Sequence, residues 1–325
     1  MCNLFKFKQK NVGVSDLRSL RERAGKIFLY LLRLFFLLSV SYIILFPLLF
    51  MLSNAFKPST ELMDPSVVWV PKVFTWENIR TAITAMNYPS ALLKTLSVNI
   101  VSAFIEVISC AVVAYGFARF QFPGKKLLFA LIILTIIVPP QMIMVPSYLN
   151  FRQMDFLGVL QMIGGVLEKE LRPNLLDTPL TFYLPSLFGV GLRSGLFIYI
   201  YRQFFKGLPN ELEEAAWIDG AGPLRTFLRI VLPSSGVAIL TVTIFSLVWH
   251  WNDYHLSVMY FNDNFSLAVV LSQLESELNA ANMSTDVNVC VRMAGCLIFI
   301  LPMLMVYLFL QKYFIKSIDR VGIVG

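Results

Sequence analysis

Long apolar runs alternate along the chain with shorter polar stretches. Six of the runs approach the roughly 20 residues that a helix needs to cross the hydrocarbon core of a bilayer. They occupy residues 34–52, 96–117, 127–144, 180–200, 236–251 and 293–314. Charged residues are scarce within these runs and occur singly. The pattern therefore predicts an all-α membrane protein with six transmembrane helices.

Proline falls within several of the predicted spans. These prolines are Pro47, Pro139, Pro140, Pro185 and Pro302. In a soluble protein an internal proline argues against a continuous helix. In a membrane bundle, neighbouring helices can satisfy the carbonyl groups that proline leaves without a partner. We therefore interpret these prolines as kinks or helix ends.

Composition supports the same class of protein. Hydrophobic residues make up 57% of the 325 residues and charged residues only 14%, against about 25% charged residues in a typical soluble domain. The four cysteines, Cys2, Cys110, Cys290 and Cys296, show no CxxC spacing. Because Cys110 and Cys296 fall within apolar runs, we interpret them as small buried hydrophobic residues.

The basic residues are distributed unevenly around the predicted spans. Four of the 27 Lys and Arg residues lie within or beside spans, at positions 33, 94, 193 and 292. Of the others, seventeen lie in the N-terminal tail, in the second-to-third and fourth-to-fifth loops, and at the C-terminal end. Six lie in the alternate loops. Since Lys and Arg concentrate on the cytosolic side of a membrane protein, both termini and residues 208–233 are predicted to be cytosolic. This topology explains the net charge of +7 without a nucleic-acid partner.

The runs and loops divide the chain into five parts. They are a basic cytosolic N-terminal tail (1–33), a first transmembrane helix (34–52), an external segment (53–94), a five-helix transmembrane domain (95–314) and a cytosolic C-terminal tail (315–325).

The predicted cytosolic loop 208–233 reads LPNELEEAAWIDGAGPLRTFLRIVLP. Asn210 suits the N-cap of a helix, and Glu213 suits the partner position of a capping box. Gly220 can adopt the left-handed conformation that ends a helix, and Pro223 suits the first turn of another. The loop predicts a short helix, a sharp turn and a second helix that leads into the fifth span. From these features alone, an ordinary amphipathic loop remains an open interpretation.

The same loop resembles the EAA signature of the ABC-importer permeases, in which EAA is followed by a glycine and then by a hydrophobic stretch ending in LP. The matching positions are Glu214, Ala215, Ala216, Asp219, Gly220, Ala221 and Pro233. The resemblance implies a type-I importer of MetI-like architecture. It also implies that these residues form a coupling helix docked on a cytosolic ATPase subunit. Glu214 would fix that helix, and Gly220 would make its turn.

Other stretches extend the resemblance over most of the chain. Residues 114–126, 139–151 and 197–216 look like segments of sugar-importer permeases, and residues 251–253 (Trp-Asn-Asp) resemble the usual end of their fifth span. The similarity is to the MalG-like, CUT1-type subgroup, whose members form one half of a heterodimeric carbohydrate pore. It identifies the five-helix part as an ABC transmembrane type-1 domain. Residues 161–178 are longer and more polar than the usual connection between the third and fourth spans of the family. The resemblance therefore implies nothing about the external contacts of this segment.

The resemblance also implies partners. They are a second, MalF-like permease subunit, two cytosolic ATPase subunits, an extracytoplasmic solute-binding protein, a sugar substrate and the lipid of the bacterial cytoplasmic membrane. The chain has no GxxxxGK[ST] phosphate-binding loop, which would cradle the phosphates of ATP. ATP is therefore expected on the partner subunits. For this chain we expect no catalytic residues, no cofactor and no metal site.

Two alternatives remain open. One is a self-sufficient channel or secondary transporter, and the other is an ABC permease for a solute that is not a sugar. Secondary carriers often show inverted repeats with paired broken helices, and no such repeat is visible in this sequence.

Ionisable residues inside membrane spans are candidates for the transport pathway, because their burial in lipid is costly. Glu106 lies in the middle of the second run, where it lines the pathway, pairs with Arg193 of the fourth run or contacts the other permease subunit. Trp249 either stacks on a sugar ring or belongs to the interfacial aromatic belt. Asn252, at the end of the same span, is a further candidate. His250 is expected in a packing or interfacial role.

Overall fold

The computed structural model describes residues 14–155, 158–167, 172–262 and 266–322. As predicted, these residues form helices joined by turns. The α-helices in chain order are α1 (Val14–Ala55), α2 (Glu77–Ala85), α3 (Tyr88–Arg119), α4 (Lys125–Ile137), α5 (Pro140–Arg152), α6 (Val159–Leu167), α7 (Leu180–Leu187), α8 (Ser194–Gly207), α9 (Glu211–Ile218), α10 (Pro223–Thr226), α11 (Leu232–Ser234), α12 (Gly236–Trp251), α13 (His255–Tyr260), α14 (Leu267–Ala280) and α15 (Thr285–Gly322). A 3-10 turn at Ser59–Glu61 and a π-helical stretch at Phe227–Val231 complete them.

Three helices are each long and apolar enough to cross a membrane. They are the Gly25–Ala55 part of α1, all of α3, and the Thr285–Tyr313 part of α15. Two bent pairs, α4 with α5 and α10–α11 with α12, pass the same test when each pair is taken together. The described residues thus contain three candidate membrane spans, or five if each bent pair crosses the membrane as a single span. The first, second and sixth predicted runs correspond to α1, α3 and α15.

The third predicted run is bent at the prolines that were interpreted as a kink or helix end, since α4 and α5 meet there at an angle of 104°. Val138 and Pro139 between them are extended, with ψ of 122° and 135°. A residue that precedes proline is driven out of the helical region by the proline ring, and here two prolines follow in succession. Pro140 then opens α5 at a position where its missing N–H costs no hydrogen bond.

The fourth predicted run is also broken, into α7 and α8. The turn between them contains two left-handed residues, Gly189 with φ of 67° and Arg193 with φ of 66°. An arginine rarely adopts this conformation, since its Cβ crowds the backbone. The fifth predicted run matches α12, which α10 and α11 enter at an angle of 80°.

Helix α3 lies at the centre of the bundle, where it packs against α7, α8 and α12. Several of its buried side chains are small, among them Ala103, Cys110, Ala111 and Ala114. Small residues allow membrane helices to approach closely, and α8 fills the facing surface with large buried aromatics. These are Phe197, Tyr201 and Phe205.

Helix α1 occupies the periphery. Only 6% of its most apolar window is buried, against 39% for α3, and its packing partner among the long helices is α15. A helix that exposes apolar side chains around most of its circumference is suited to lipid contact. The depth of burial therefore places α3 inside the bundle and α1 at its edge.

Candidate functional site

The sharp turn predicted in the loop 208–233 is present at the end of α9. Gly220 has φ of +80°. Its N–H donates to the carbonyl of Trp217 at 3.0 Å, and the N–H of Ala221 donates to the carbonyl of Ala216 at 2.9 Å. This pair of bonds is the Schellman arrangement that closes a helix with a left-handed glycine. The expectation that Gly220 ends the short helix is confirmed.

The predicted capping box at the start of α9 is wrong. Asn210 occupies the N-cap position but has helical backbone angles (φ −68°, ψ −27°), and its side chain accepts no bond from the first turn. A capping side chain usually needs an extended backbone to reach those N–H groups. The backbone carbonyl of Asn210 accepts from the N–H of Glu213 and of Glu214 instead.

The side chain of Glu213 points away from the helix start and towards α3. Its Oε1 accepts from Arg119 Nε at 2.5 Å, and its Oε2 accepts from the Tyr115 hydroxyl at 2.9 Å. Arg119 also donates to Asn210 Oδ1 at 2.6 Å and to the Leu208 carbonyl at 3.0 Å. We call this group of bonds the Arg119 clamp. Charge-assisted bonds of this kind are shorter and stronger than neutral ones, so the clamp fixes the start of α9 to the end of α3.

The clamp was missed by sequence reasoning, although a signal for it exists. Tyr115 and Arg119 are four residues apart and therefore lie on one face of α3. Both belong to the stretch 114–126 that carries part of the family resemblance. What the sequence does not indicate is that Glu213, rather than the neighbouring Glu214, turns inward.

The opposite face of α9 is open to solvent. Glu214, Ala215, Asp219 and Gly220 are exposed, whereas Glu213 and Ala216 are buried. Large apolar side chains join the exposed face, with Trp217 48% and Ile218 87% exposed. Exposed apolar surface with a polar border is typical of a protein-interaction site.

The second helix of the loop is short and irregular. After α10 the chain passes through the π-helical stretch Phe227–Val231 into α11, which contains Pro233. Phe227 is buried against Tyr115 of α3, with ring centroids 4.8 Å apart. π-Helical segments frequently mark functional sites, and this one lies between the α9 turn and the bend into α12.

Glu106 lies fully buried in the middle of α3, but it does not pair with Arg193 as one interpretation of the sequence proposed. Its Oε1 accepts from the Ser194 hydroxyl at 2.5 Å, and its Oε2 accepts from the Ser246 hydroxyl at 2.7 Å. His250 Nδ1 is 3.8 Å from the same Oε2 and 2.9 Å from the Ser246 carbonyl. Glu106 therefore ties α3 to α8 and α12, and His250 packs in the interior.

Arg193 and Trp249 lie together. The Arg193 guanidinium carbon is 5.6 Å from the centroid of the Trp249 ring, within the range of a cation–π contact. Trp249 also packs against Phe197 and Phe245, at centroid distances of 5.7 and 5.5 Å. Asn252 follows α12 and is exposed, and its side-chain amide donates to the Val248 carbonyl at 2.8 Å. The structure thus separates the four pathway candidates into a buried Glu106, an Arg193–Trp249 pair and a surface Asn252.

A cavity of about 440 Å³ lies beside this group. Helices α4 and α5 form one wall, and α7, α8 and the turn between them form another; Arg193, Ser194 and His250 all line it. Glu106 lies behind Ser194 and is not part of the described lining. In the described part of the chain, no three His, Cys, Asp or Glu residues are grouped so as to hold a metal ion.

The sequence of this chain is similar to a family of transport proteins and to individual permeases. The family described as "Binding-protein-dependent transport system inner membrane component" matches residues 107–320. Protein LplC of Bacillus subtilis (strain 168) is 30% identical over 304 residues, which cover 91% of this chain and 94% of LplC. The arabinooligosaccharides transport system permease protein AraQ of Halalkalibacterium halodurans is 25% identical over 291 residues, which cover 88% of this chain and 93% of AraQ.

A solved structure shares the fold. It is a bacterial ABC transporter involved in the import of the acidic polysaccharide alginate, and one of its chains superimposes with a TM-score of 0.70 at 19% sequence identity. The match covers 90% of this chain and 98% of that chain. The family match, which spans more than half of the residues, confirms the resemblance seen in the EAA loop. The chain therefore belongs to the binding-protein-dependent transport system inner membrane components, the multi-pass permeases of ABC importers, which are transport subunits and not enzymes.

Proposed function

We propose that this chain forms one half of the translocation pathway of an ABC importer for a sugar or oligosaccharide, and that α9 couples it to a cytosolic ATPase. The observation that carries the proposal is the division of α9 into two faces. One face is held to α3 by the Arg119 clamp, and the other presents Glu214, Trp217 and Ile218 to solvent. A helix that is fixed on one side and open on the other can transmit the movement of a docked protein.

Movement of α9 has two routes into the bundle. The Arg119 clamp leads directly into α3, and the turn at Gly220 leads through α10 and α11 into α12. These two helices are joined in the interior by a hydrogen bond from the Ser246 hydroxyl of α12 to the Glu106 carboxylate of α3. A displacement of α9 would therefore reach the interior of the bundle along two helices that meet at one buried carboxylate.

The proposed cycle is alternating access with a second, MalF-like permease subunit and two ATPase subunits. ATP and a loaded solute-binding protein favour the outward-facing state of the pore, and ATP hydrolysis returns it to the inward-facing state. Ligands can shift such an equilibrium only by their differential affinity for the two states. The proposed contact for the binding protein is the segment 253–290, which includes α14. Residues 263–265 of that segment lie outside the described residues.

The sugar assignment is supported by AraQ, whose name specifies arabinooligosaccharides, and by the sugar-permease resemblance of residues 114–126 and 139–151. A solute other than a sugar remains the second candidate substrate class. A self-sufficient channel is the rival mechanism, and it predicts uptake without any ATPase.

The coupling proposal is tested by Gly220→Val in proteoliposomes that contain the two permeases, the ATPase and the binding protein. The left-handed backbone at Gly220 disfavours a β-branched residue by about 1–2 kcal/mol, so the turn and the exposed face of α9 should shift. We expect ATP-driven uptake to fall at least several-fold while membrane insertion is unchanged.

Gly124→Val is the matched control. Gly124 has a similar φ of +77° and, like Gly220, has no atom within 4 Å of where a Cβ would lie, but it precedes α4 rather than α9. This variant carries a comparable backbone strain and should retain most of the uptake. Equal uptake by the two variants would contradict the coupling role of α9. Uptake by the wild-type permeases without ATPase would favour the channel.

A further inference from the structure

The cavity beside α8 has the size and lining of a small-molecule site. Its volume of about 440 Å³ lies within the roughly 300–1,000 Å³ of typical ligand pockets. Its walls include the aromatic side chains Phe151, Phe182 and Tyr260, together with polar Asn150 and Ser147. Apolar and aromatic walls with a few polar groups fix the orientation of a ligand. This combination suits a sugar ring, which has apolar C–H faces and polar edges.

The charge of the lining is one-sided. Among the described residues that line the cavity, Arg193 is the only Lys, Arg, Asp or Glu side chain. The first turn of α8 lines the same wall through Ser194 and Gly195. The N-terminal end of a helix carries partial positive charge and favours anions. The cavity therefore combines a full positive charge with a helix end of the same sign.

Arg193 has no acidic partner in the described part of the chain. Glu106, the partner that the sequence suggested, accepts hydrogen bonds from the hydroxyls of Ser194 and Ser246 instead. The contact that the structure gives the guanidinium is with the ring of Trp249. A cation within the membrane region is costly unless a partner or a function accounts for it.

The backbone at Arg193 adds a separate observation. Its φ of +66° is unusual for a residue other than glycine or asparagine. Backbone strain of this kind persists where the surrounding structure imposes it, and it concentrates at ligand sites. The turn before α8 thus places a bulky cation at a position where a small residue would be less strained.

We propose that this cavity is a subsite of the transport pathway for a carboxylate-bearing sugar, such as a uronic acid unit, with the Arg193 guanidinium binding the carboxylate. Trp249 holds the guanidinium from outside the cavity, and the aromatic wall packs against the sugar ring. The inference rests on the proposed sugar-import function and goes beyond it, because it assigns substrate contact and charge selectivity to this subunit.

The test measures binding of two disaccharides, acidic digalacturonate and neutral cellobiose, to the assembled transporter in nanodiscs. Intrinsic tryptophan fluorescence or thermophoresis gives the two affinities. The variants are Arg193→Asn, which removes the charge with a residue that tolerates the left-handed backbone, and Arg193→Lys, which keeps it. We expect wild-type transporter to prefer digalacturonate, Arg193→Asn to weaken digalacturonate binding roughly 10- to 100-fold, and Arg193→Lys to restore part of the loss. Cellobiose binding should be the same in all three proteins.

The inference is overturned if wild-type transporter shows no preference for digalacturonate, or if Arg193→Asn leaves the preference intact. A loss of binding for both sugars in Arg193→Asn also overturns it, because that result indicates a structural role. ATP-driven uptake of any sugar by the same preparation keeps the two proposals apart. If uptake requires ATP but does not distinguish the acidic from the neutral sugar, only this inference fails. If no uptake depends on ATP, the proposed function fails as well.

Discussion

Arg119, the last residue of α3, donates from Nε to Oε1 of Glu213 at 2.5 Å across 94 positions of the sequence. Both side chains are largely buried, with 12% and 4% exposed. The pair joins a central membrane helix to the first turn of α9. It gives the coupling proposal a direct mechanical link that does not pass through the connecting chain.

Removal of the Glu213 carboxylate should destabilise the protein. In Glu213→Ala, Arg119 and Tyr115 lose their shared acceptor in a buried position, and breaking a buried ion pair on one side typically costs about 3–5 kcal/mol. Denaturant or SDS unfolding of the purified chain, followed by circular dichroism, measures the change. Glu214→Ala is the matched control: its side chain is exposed, so its stability should stay within about 0.5 kcal/mol of wild type. Equal effects of the two substitutions would contradict the clamp.

Replacing Arg119 with lysine should weaken the coupling of transport to ATP hydrolysis without preventing assembly with the ATPase. Lysine keeps the charge but lacks the planar fork that reaches Glu213, Asn210 and Leu208 at once. The loss of one or two of these bonds, about 1–2 kcal/mol, should lower sugar uptake per ATP hydrolysed roughly 5- to 30-fold. The ATPase subunits should still co-purify with Arg119→Lys. Arg225→Lys, in the exposed part of the same loop, should leave the ratio unchanged; a normal ratio in Arg119→Lys would exclude the clamp from transmission.

Two double-mutant cycles should distinguish the partners of Glu106. Glu106→Gln removes the charge of the acceptor and one of its two oxygens, and Ser246→Ala removes the donor of the same hydrogen bond. Their effects on unfolding free energy should therefore be non-additive by about 0.5–3 kcal/mol. Glu106→Gln and Arg193→Asn should be additive to within about 0.5 kcal/mol, since the structure does not pair these residues. Strong coupling in the second cycle would contradict the structure and support the Glu106–Arg193 ion pair that the sequence had suggested.

Gly195 should tolerate no side chain. A Cβ at this position would contact Thr135 Oγ1 and lie 3.1 Å from the Ile132 carbonyl, both on α4. Gly195→Ala should therefore force α4 away from α8 and destabilise the protein by about 1–3 kcal/mol. Thr135→Ala in the same chain removes the closer contact and should recover part of the loss in an unfolding titration. No recovery, or no loss in the single variant, would argue against this close helix approach.

The side of the membrane on which α9 lies can be measured by cysteine labelling. Ile218→Cys, at an 87% exposed position, should react with an impermeant maleimide in inside-out vesicles and stay unreactive in whole cells. Met63→Cys, at a 75% exposed position in the predicted external segment, should show the reverse. Both variants carry Cys2→Ser. Reaction of Ile218→Cys from outside the cell would reverse the proposed topology.

Sequence reasoning succeeded where the determining interactions are local. Pro139-Pro140 indicated a kink or a helix end, and Gly220 indicated the turn after α9, because steric limits on φ and ψ act within a few residues. It was less successful with helix continuity. The third and fourth runs are mostly apolar, with Arg193 as their one charged residue, yet each is divided in the folded chain.

The sequence by itself determined that this is a membrane protein, where its EAA loop lies and which glycine turns that loop. The membrane class and the turn follow from hydrophobic run lengths and backbone sterics, which operate on neighbouring residues. The EAA loop is located by its resemblance to the ABC-importer permeases. Only the tertiary structure decided that Glu213 faces Arg119, that Glu106 binds two serines, and that Arg193 contacts Trp249 on the wall of a cavity. These pairings depend on how separate helices pack, since a carboxylate bonds to whichever donors the packing brings within about 3 Å, and many donors on other helices are available to it.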